Sequence, residues 1–176
     1  MLTEFSEYYG FIGQYVGDTQ KLYDLSKIKS QAIVDTLDNQ NVVSKNVLAV
    51  GFGVIPIGLS QRGYNVTICN CTNSCMDFID ANNLSIEYLD IGPSDLYNDG
   101  KKYDIVIAPD EYLTYAGNEN QQRNMTNELL SIAKQSVVTT VRDFKNMPKH
   151  LRNWDEPIAV IDDNDKDVVF FNRRKW

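Results

Sequence analysis

Asn46-Val-Leu-Ala-Val-Gly51 runs straight into Phe52-Gly53-Val54-Ile55-Pro56-Ile57-Gly58, and the reading of this stretch decides the fold. The first half is short, apolar and β-branched, and it is closed by glycines. A continuous apolar run of that kind reads as a strand buried on both faces, which is the habit of parallel sheets. The second half carries Pro56, which suits a first helical turn because its missing N–H is not needed there. Strand, glycine turn and helix therefore follow one another within thirteen residues.

The same rhythm continues outward. Further strand-like runs are Tyr64-Asn-Val-Thr-Ile-Cys69, Leu84-Ser-Ile-Glu-Tyr-Leu89, Tyr103-Asp-Ile-Val-Ile-Ala108 and Ser136-Val-Val-Thr-Thr-Val141. Helical patterns fall between them, over about 56–62, 73–81 and 121–134. Strands alternating with helices imply βαβ units and a doubly wound, mostly parallel α/β sheet. Upstream, residues 1–40 show helical spacing. Phe5, Tyr8, Tyr9, Ile12 and Val16 make one apolar face, and Leu22, Leu25, Ile28, Ile33 and Leu37 make the next. These are expected to form a helical cap on a core of residues 41–176, the whole being one domain. Residues 142–156 are polar and read as loop. Pro157–Ile161 and Asp167–Phe171 flank an Asp/Asn cluster, and that pattern predicts a C-terminal antiparallel β-hairpin.

Composition narrows the function. In 176 residues, 43% hydrophobic content is enough for a core, so the chain is not disordered by composition. Seventeen Lys and Arg stand against twenty-four Asp and Glu, and the net charge of -7 argues against a dedicated nucleic-acid binder. No apolar run approaches a membrane span, and the acidic N-terminus lacks the basic start of a secretory signal. Cys69, Cys71 and Cys75 are the three cysteines, too few and too close for a disulfide framework. A soluble, cytoplasmic protein is expected.

Several residues stand where chemistry is done. Open parallel sheets bind ligands outside the carboxyl ends of their strands. Gly51 and Gly53 close the first strand, Asn70 the second, Asp90 the third, and Asp110-Glu111 the fourth. Glycines there permit a tight turn and a ligand's close approach to the helix amides, although an ordinary turn uses the same residues. The spacing is neither the G-x-G-x-x-G dinucleotide fingerprint nor a P-loop. Asp110 and Glu111 could position or deprotonate a substrate, or simply cap a helix. The C-x-C-x3-C cysteines with the single His150 could supply four zinc ligands, but small apolar packing explains them as well, and no metal is expected.

From about residue 40 onward this layout resembles the class I S-adenosylmethionine-dependent methyltransferases. Val47-Leu-Ala-Val-Gly-Phe-Gly53 is similar to their first motif, and Asp90 in Tyr-Leu-Asp-Ile fits the position that meets adenine. Asn70 stands where the family usually has a ribose-binding acid, and Ile55 replaces a small residue. The resemblance implies S-adenosylmethionine as cofactor, held by Gly51, Gly53, Asn70, Asp90 and Asp110. Asp110 and Glu111 would face the reacting group. It also implies the antiparallel hairpin and methyl transfer to a small-molecule or protein acceptor. The other reading is a methyltransferase-like fold without catalysis, used as a structural or partner-binding module, for instance in a viral assembly.

Overall fold

A computed structural model describes residues 19–108, 113, 118–141 and 167–172. Helix α1 (Thr19–Asn39) buries Leu22, Ser26, Ser30, Ile33 and Leu37, a stripe that advances by three or four residues. Ile28 lies about half a turn away from Ser26 and is 59% exposed, so it is not part of the apolar face expected of it. The earlier aromatic stripe, Phe5 to Val16, lies outside the described residues.

The sheet is built from β1 (Asn46–Val50), β2 (Asn65–Cys69), β3 (Ile86–Tyr88), β4 (Tyr103–Ala108), β5 (Ala133–Val141) and β6 (Asp167–Asn172). Their order is β3-β2-β1-β4-β5-β6, and every pair is parallel. Between strands run α2 (Val54–Gln61), α3 (Asn73–Ala81), α4 (Pro93–Asn98) and α5 (Glu119–Ile132). The chain builds outward from β1 to β3, then returns to place β4 on the other side of β1. With right-handed crossovers, that reversal sends α2 and α3 to one face and α4 and α5 to the other. The packing agrees, since α2 lies on α1 and α4 lies on α5. The core between the layers includes Leu48, Ile57, Leu59, Ile68, Ile105 and Ile107, all fully buried. Leu22, Ile33 and Leu37 of α1 belong to that same core. Among the described residues no helix is long and apolar enough to cross a membrane.

Two further features depart from expectation. The first is α4, a six-residue helix that the sequence reading passed over. It opens at Pro93, the Asp95 carboxylate accepts a hydrogen bond from the Gly92 N–H at 3.0 Å, and Leu96 anchors it in the core. The second is the C-terminal strand. The expected antiparallel hairpin is not what β6 shows: it lies parallel to β5, with Ser136 opposite Asp167 and Val141 opposite Asn172. A parallel neighbour needs a crossover of a dozen or more residues, and the segment 142–166 between the two strands is long enough for one. The hairpin's other arm, 157–161, lies outside the described residues, as does the loop 142–156.

Candidate functional site at the carboxyl rim

The strand order reverses between β1 and β4, so the carboxyl ends of these two strands flank the switch point where ligands of such sheets bind. The local chain geometry explains the glycines there. Gly51 has φ +92, a backbone region that side-chain-bearing residues avoid, and its N–H donates to the Cys69 carbonyl at 2.8 Å. Phe52, 1% exposed, packs its ring 5.7 Å from Phe78 of α3 and pins the loop to the core. Gly53 is then the N-cap of α2. It brings no side chain to cap the helix, so the first-turn amides of Val54 and Ile55 receive no acceptor from it.

Asn70 follows β2 with φ 57, a left-handed position that Asn tolerates better than most residues. Its N–H donates to the Ile91 carbonyl at 2.8 Å, and the Leu89 N–H donates to the Ile68 carbonyl at the same distance. These bonds carry the sheet past its last ladder pair and hold Asn70 beside the segment containing Asp90. Asn70 is half-buried and Asp90 is exposed. Gly51, Gly53, Asn70 and Asp90 are therefore brought to one rim by neighbouring strand ends. β4 ends at Ala108 next to β1, and Asp110 and Glu111 lie outside the described residues.

The β2–α3 turn holds more than small apolar packing. All three cysteines are free thiols and buried. Thr72 is the N-cap of α3, and its hydroxyl makes no capping bond to the helix backbone. Instead it donates to the Cys75 sulfur at 3.1 Å, while the Cys71 thiol lies 3.7 Å from the Thr72 carbonyl. The neighbouring Cys71 and the Thr72 hydroxyl hold the Cys75 thiol below the usual thiol range, while Cys75 and burial push the Cys71 thiol up. Burial pushes Cys69 up to about 12. Among the described residues no group of three or more His, Cys, Asp and Glu is placed to hold a metal, and His150 lies outside them.

Gln122 is a further residue the sequence did not single out. It sits on the buried face of α5, 2% exposed, and its Nε2 reaches the Leu113 carbonyl at 3.4 Å. Its Oε1 is buried and has no hydrogen-bond partner among the described residues. In sequence it is one more polar helix residue, and nothing in the spacing marks it. At the opposite edge of the sheet, a cleft of about 310 Å³ is lined by Asn46, Asn65, Thr67, Glu87 and Asp104. Its carboxylates already have partners: Ser44, Asn46 and Lys134 on Asp104, and Thr67 on Glu87. That cleft is accounted for as a polar network tying strand starts together. Compared with models of protein families and with curated proteins, the chain matches none.

Proposed function

We propose that the rim binds S-adenosylmethionine and that the chain transfers its methyl group to a small-molecule or protein acceptor. The observation that carries this reading is Gly51 at φ +92 on the switch point, immediately before a helix whose N-cap is a bare glycine. Such a turn lets a ligand lie against backbone, with free amides for its polar atoms. Asn70 and Asp90 on the next two strand ends suit ribose hydroxyls and an adenine amine. The unpaired Gln122 Oε1 near Leu113 offers a further acceptor on the β4 side. The bound sulfonium would supply an activated methyl carbon. The chain's task is then to position an acceptor in line with it, with Asp110 and Glu111 orienting or deprotonating that acceptor.

A specific observation favours the second reading. The parallel β6 departs from the antiparallel closing element of the methyltransferase family, so the same scaffold could serve as a structural or partner-binding module. Titration calorimetry with S-adenosylmethionine and S-adenosylhomocysteine separates the two. Binding, with a stabilisation of about 2.7 kcal/mol at roughly a hundred times the dissociation constant, supports the cofactor site. Gly53→Val should then abolish binding while the circular dichroism spectrum is retained. No heat and no melting shift at millimolar ligand would replace the enzyme reading with the scaffold.

A further inference from the structure

We propose that Cys71 and Cys75 form a peroxide-reactive dithiol, in which Cys75 is the nucleophile and Cys71 the thiol that resolves it to a disulfide. The argument stands apart from the cofactor reading and rests on the β2–α3 turn alone.

Cys75 is the third residue of α3, where the helix N-terminus favours negative charge. Thr72 adds an unusual feature. At an N-cap, a Thr hydroxyl normally accepts a hydrogen bond from a first-turn amide; this one is turned to donate to sulfur at 3.1 Å. A hydroxyl donor and the helix N-terminus thus converge on the Cys75 sulfur, and both favour its thiolate, while the Cys71 thiol donates to the carbonyl of the same Thr72 at 3.7 Å. The Cys75 thiol is accordingly held below the range of a free thiol, so more of it is thiolate at neutral pH than the few per cent of an ordinary cysteine. Cys69, two residues before Cys71 and completely buried in β2, is pushed the other way by burial and lies outside the reaction.

Exposure selects the oxidant. Cys75 is 3% and Cys71 8% exposed, which favours an oxidant as small as hydrogen peroxide over a bulky disulfide. The Cys75 thiolate attacks one peroxide oxygen: a sulfur–oxygen bond forms, the oxygen–oxygen bond breaks, and hydroxide leaves and takes up a proton. The product is a sulfenic acid. The Cys71 thiol then gives up its proton and its sulfur attacks the Cys75 sulfur. The sulfur–sulfur bond forms as the sulfur–oxygen bond breaks, and the departing hydroxide combines with the proton as water. In sum two thiols lose two electrons and two hydrogens, one peroxide is reduced to two waters, and a dithiol reductant restores the start.

The test is a peptide map of the folded, full-length chain after exposure to hydrogen peroxide and alkylation of the remaining thiols. The expected product links Cys71 to Cys75, leaves Cys69 free, and reverts with dithiothreitol. In Cys71→Ser the sulfenic acid cannot be resolved, and dimedone added as the chain is unfolded should label Cys75. In Cys75→Ser peroxide consumption should fall at least about tenfold, because the thiolate is the attacking group. Cys69→Ser should react like the wild type. The rate of peroxide consumption should rise with pH through a midpoint below that of a free thiol. The proposal is overturned if the wild type keeps all three thiols under native conditions, or if oxidation joins Cys69 instead. The wild-type map decides the matter even if a serine variant fails to fold.

Discussion

Gly58 lies directly under Ser26: a Cβ built on that glycine would run into the Ser26 carbonyl and the Ser30 hydroxyl oxygen. This is what lets α1 settle on α2, where Arg62 adds hydrogen bonds to the Ser30 Oγ at 3.0 Å and to the Lys27 carbonyl at 2.9 Å. In an exposed helix, replacing Gly by Ala adds ~0.5–1 kcal/mol of stability. Here the sign should reverse. Gly58→Ala should destabilise by about 1–3 kcal/mol, the usual cost of overpacking, read as a lower denaturant midpoint at unchanged slope. A stabilised variant would mean that the two helices do not touch there.

The Gly51 loop gives a second expectation. Its positive φ costs a side-chain-bearing residue about 1–2 kcal/mol, so Gly51→Ala should lower stability by that amount. The loss should appear with or without ligand, because it arises from the backbone. Gly53 differs in that its φ of 176 is ordinary extended backbone. Gly53→Ala carries no such backbone cost, so its loss of stability should be the smaller of the two. Equal stability losses at the two positions would contradict this division.

Much of this was legible in the sequence. Buried parallel strands announce themselves as unbroken apolar runs, so β1, β2 and β4 were placed within a residue of their observed bounds. What failed did so for physical reasons. Ile28 is apolar, but a stripe is set by angle around the helix, and the serines at 26 and 30 hold the buried side. Helix α4 is under two turns, too short for periodicity to show. For the tail, an Asp/Asn cluster between β-rich runs reports a local preference to turn. It does not reveal which strand of the sheet β6 will choose, and that choice fixed its direction. At the rim, Gly51, Gly53, Asn70 and Asp90 could be placed because strand ends in a parallel sheet share one edge. The cysteines could not be sorted, because their differences come from Thr72 and from depth of burial.

Asp104 predicts a pH dependence at the opposite edge. Hydrogen bonds from Ser44, Asn46 and Lys134 hold its carboxyl below the ordinary value of 3.8. The folded state therefore releases this proton more readily than the unfolded chain. Its contribution is fully present above the unfolded value and is lost as pH falls through the folded one. Asp104→Asn should lower stability at neutral pH and flatten the acid limb below about pH 4. Parallel acid-unfolding curves for the two proteins would show that the cluster does not bias the carboxylate.

Gln122 separates scaffold from site in one substitution. Exchanging Gln122 for an apolar residue of similar shape removes a buried unpaired oxygen together with one long hydrogen bond, from Nε2 to the Leu113 carbonyl at 3.4 Å, and the two effects largely offset. Gln122→Met should therefore leave the melting temperature nearly unchanged. If Oε1 meets the cofactor, affinity for S-adenosylhomocysteine should fall by about tenfold or more, the scale of one hydrogen bond. A clear loss of stability with unaltered binding would assign the residue to the Leu113 contact alone.

Asp90 carries the sharpest test of the proposed function. It is exposed at the carboxyl rim, one residue beyond Leu89, whose N–H is held by the Ile68 carbonyl at 2.8 Å. The main chain there is thus fixed by β2 while the carboxylate stays exposed at the rim. An exposed carboxylate without a role in folding can be truncated within about ±0.5 kcal/mol of stability. One that accepts a hydrogen bond from an adenine amine is worth about 1.5–3 kcal/mol to binding, or roughly tenfold to a hundredfold in the dissociation constant. Asp90→Ala should then weaken S-adenosylhomocysteine by that factor at a nearly unchanged melting temperature, and Asp90→Asn, which keeps an acceptor, should recover part of it. If both variants bind as the wild type does, adenine does not sit against β3, and the rim reading loses the strand end on which its polarity most depends.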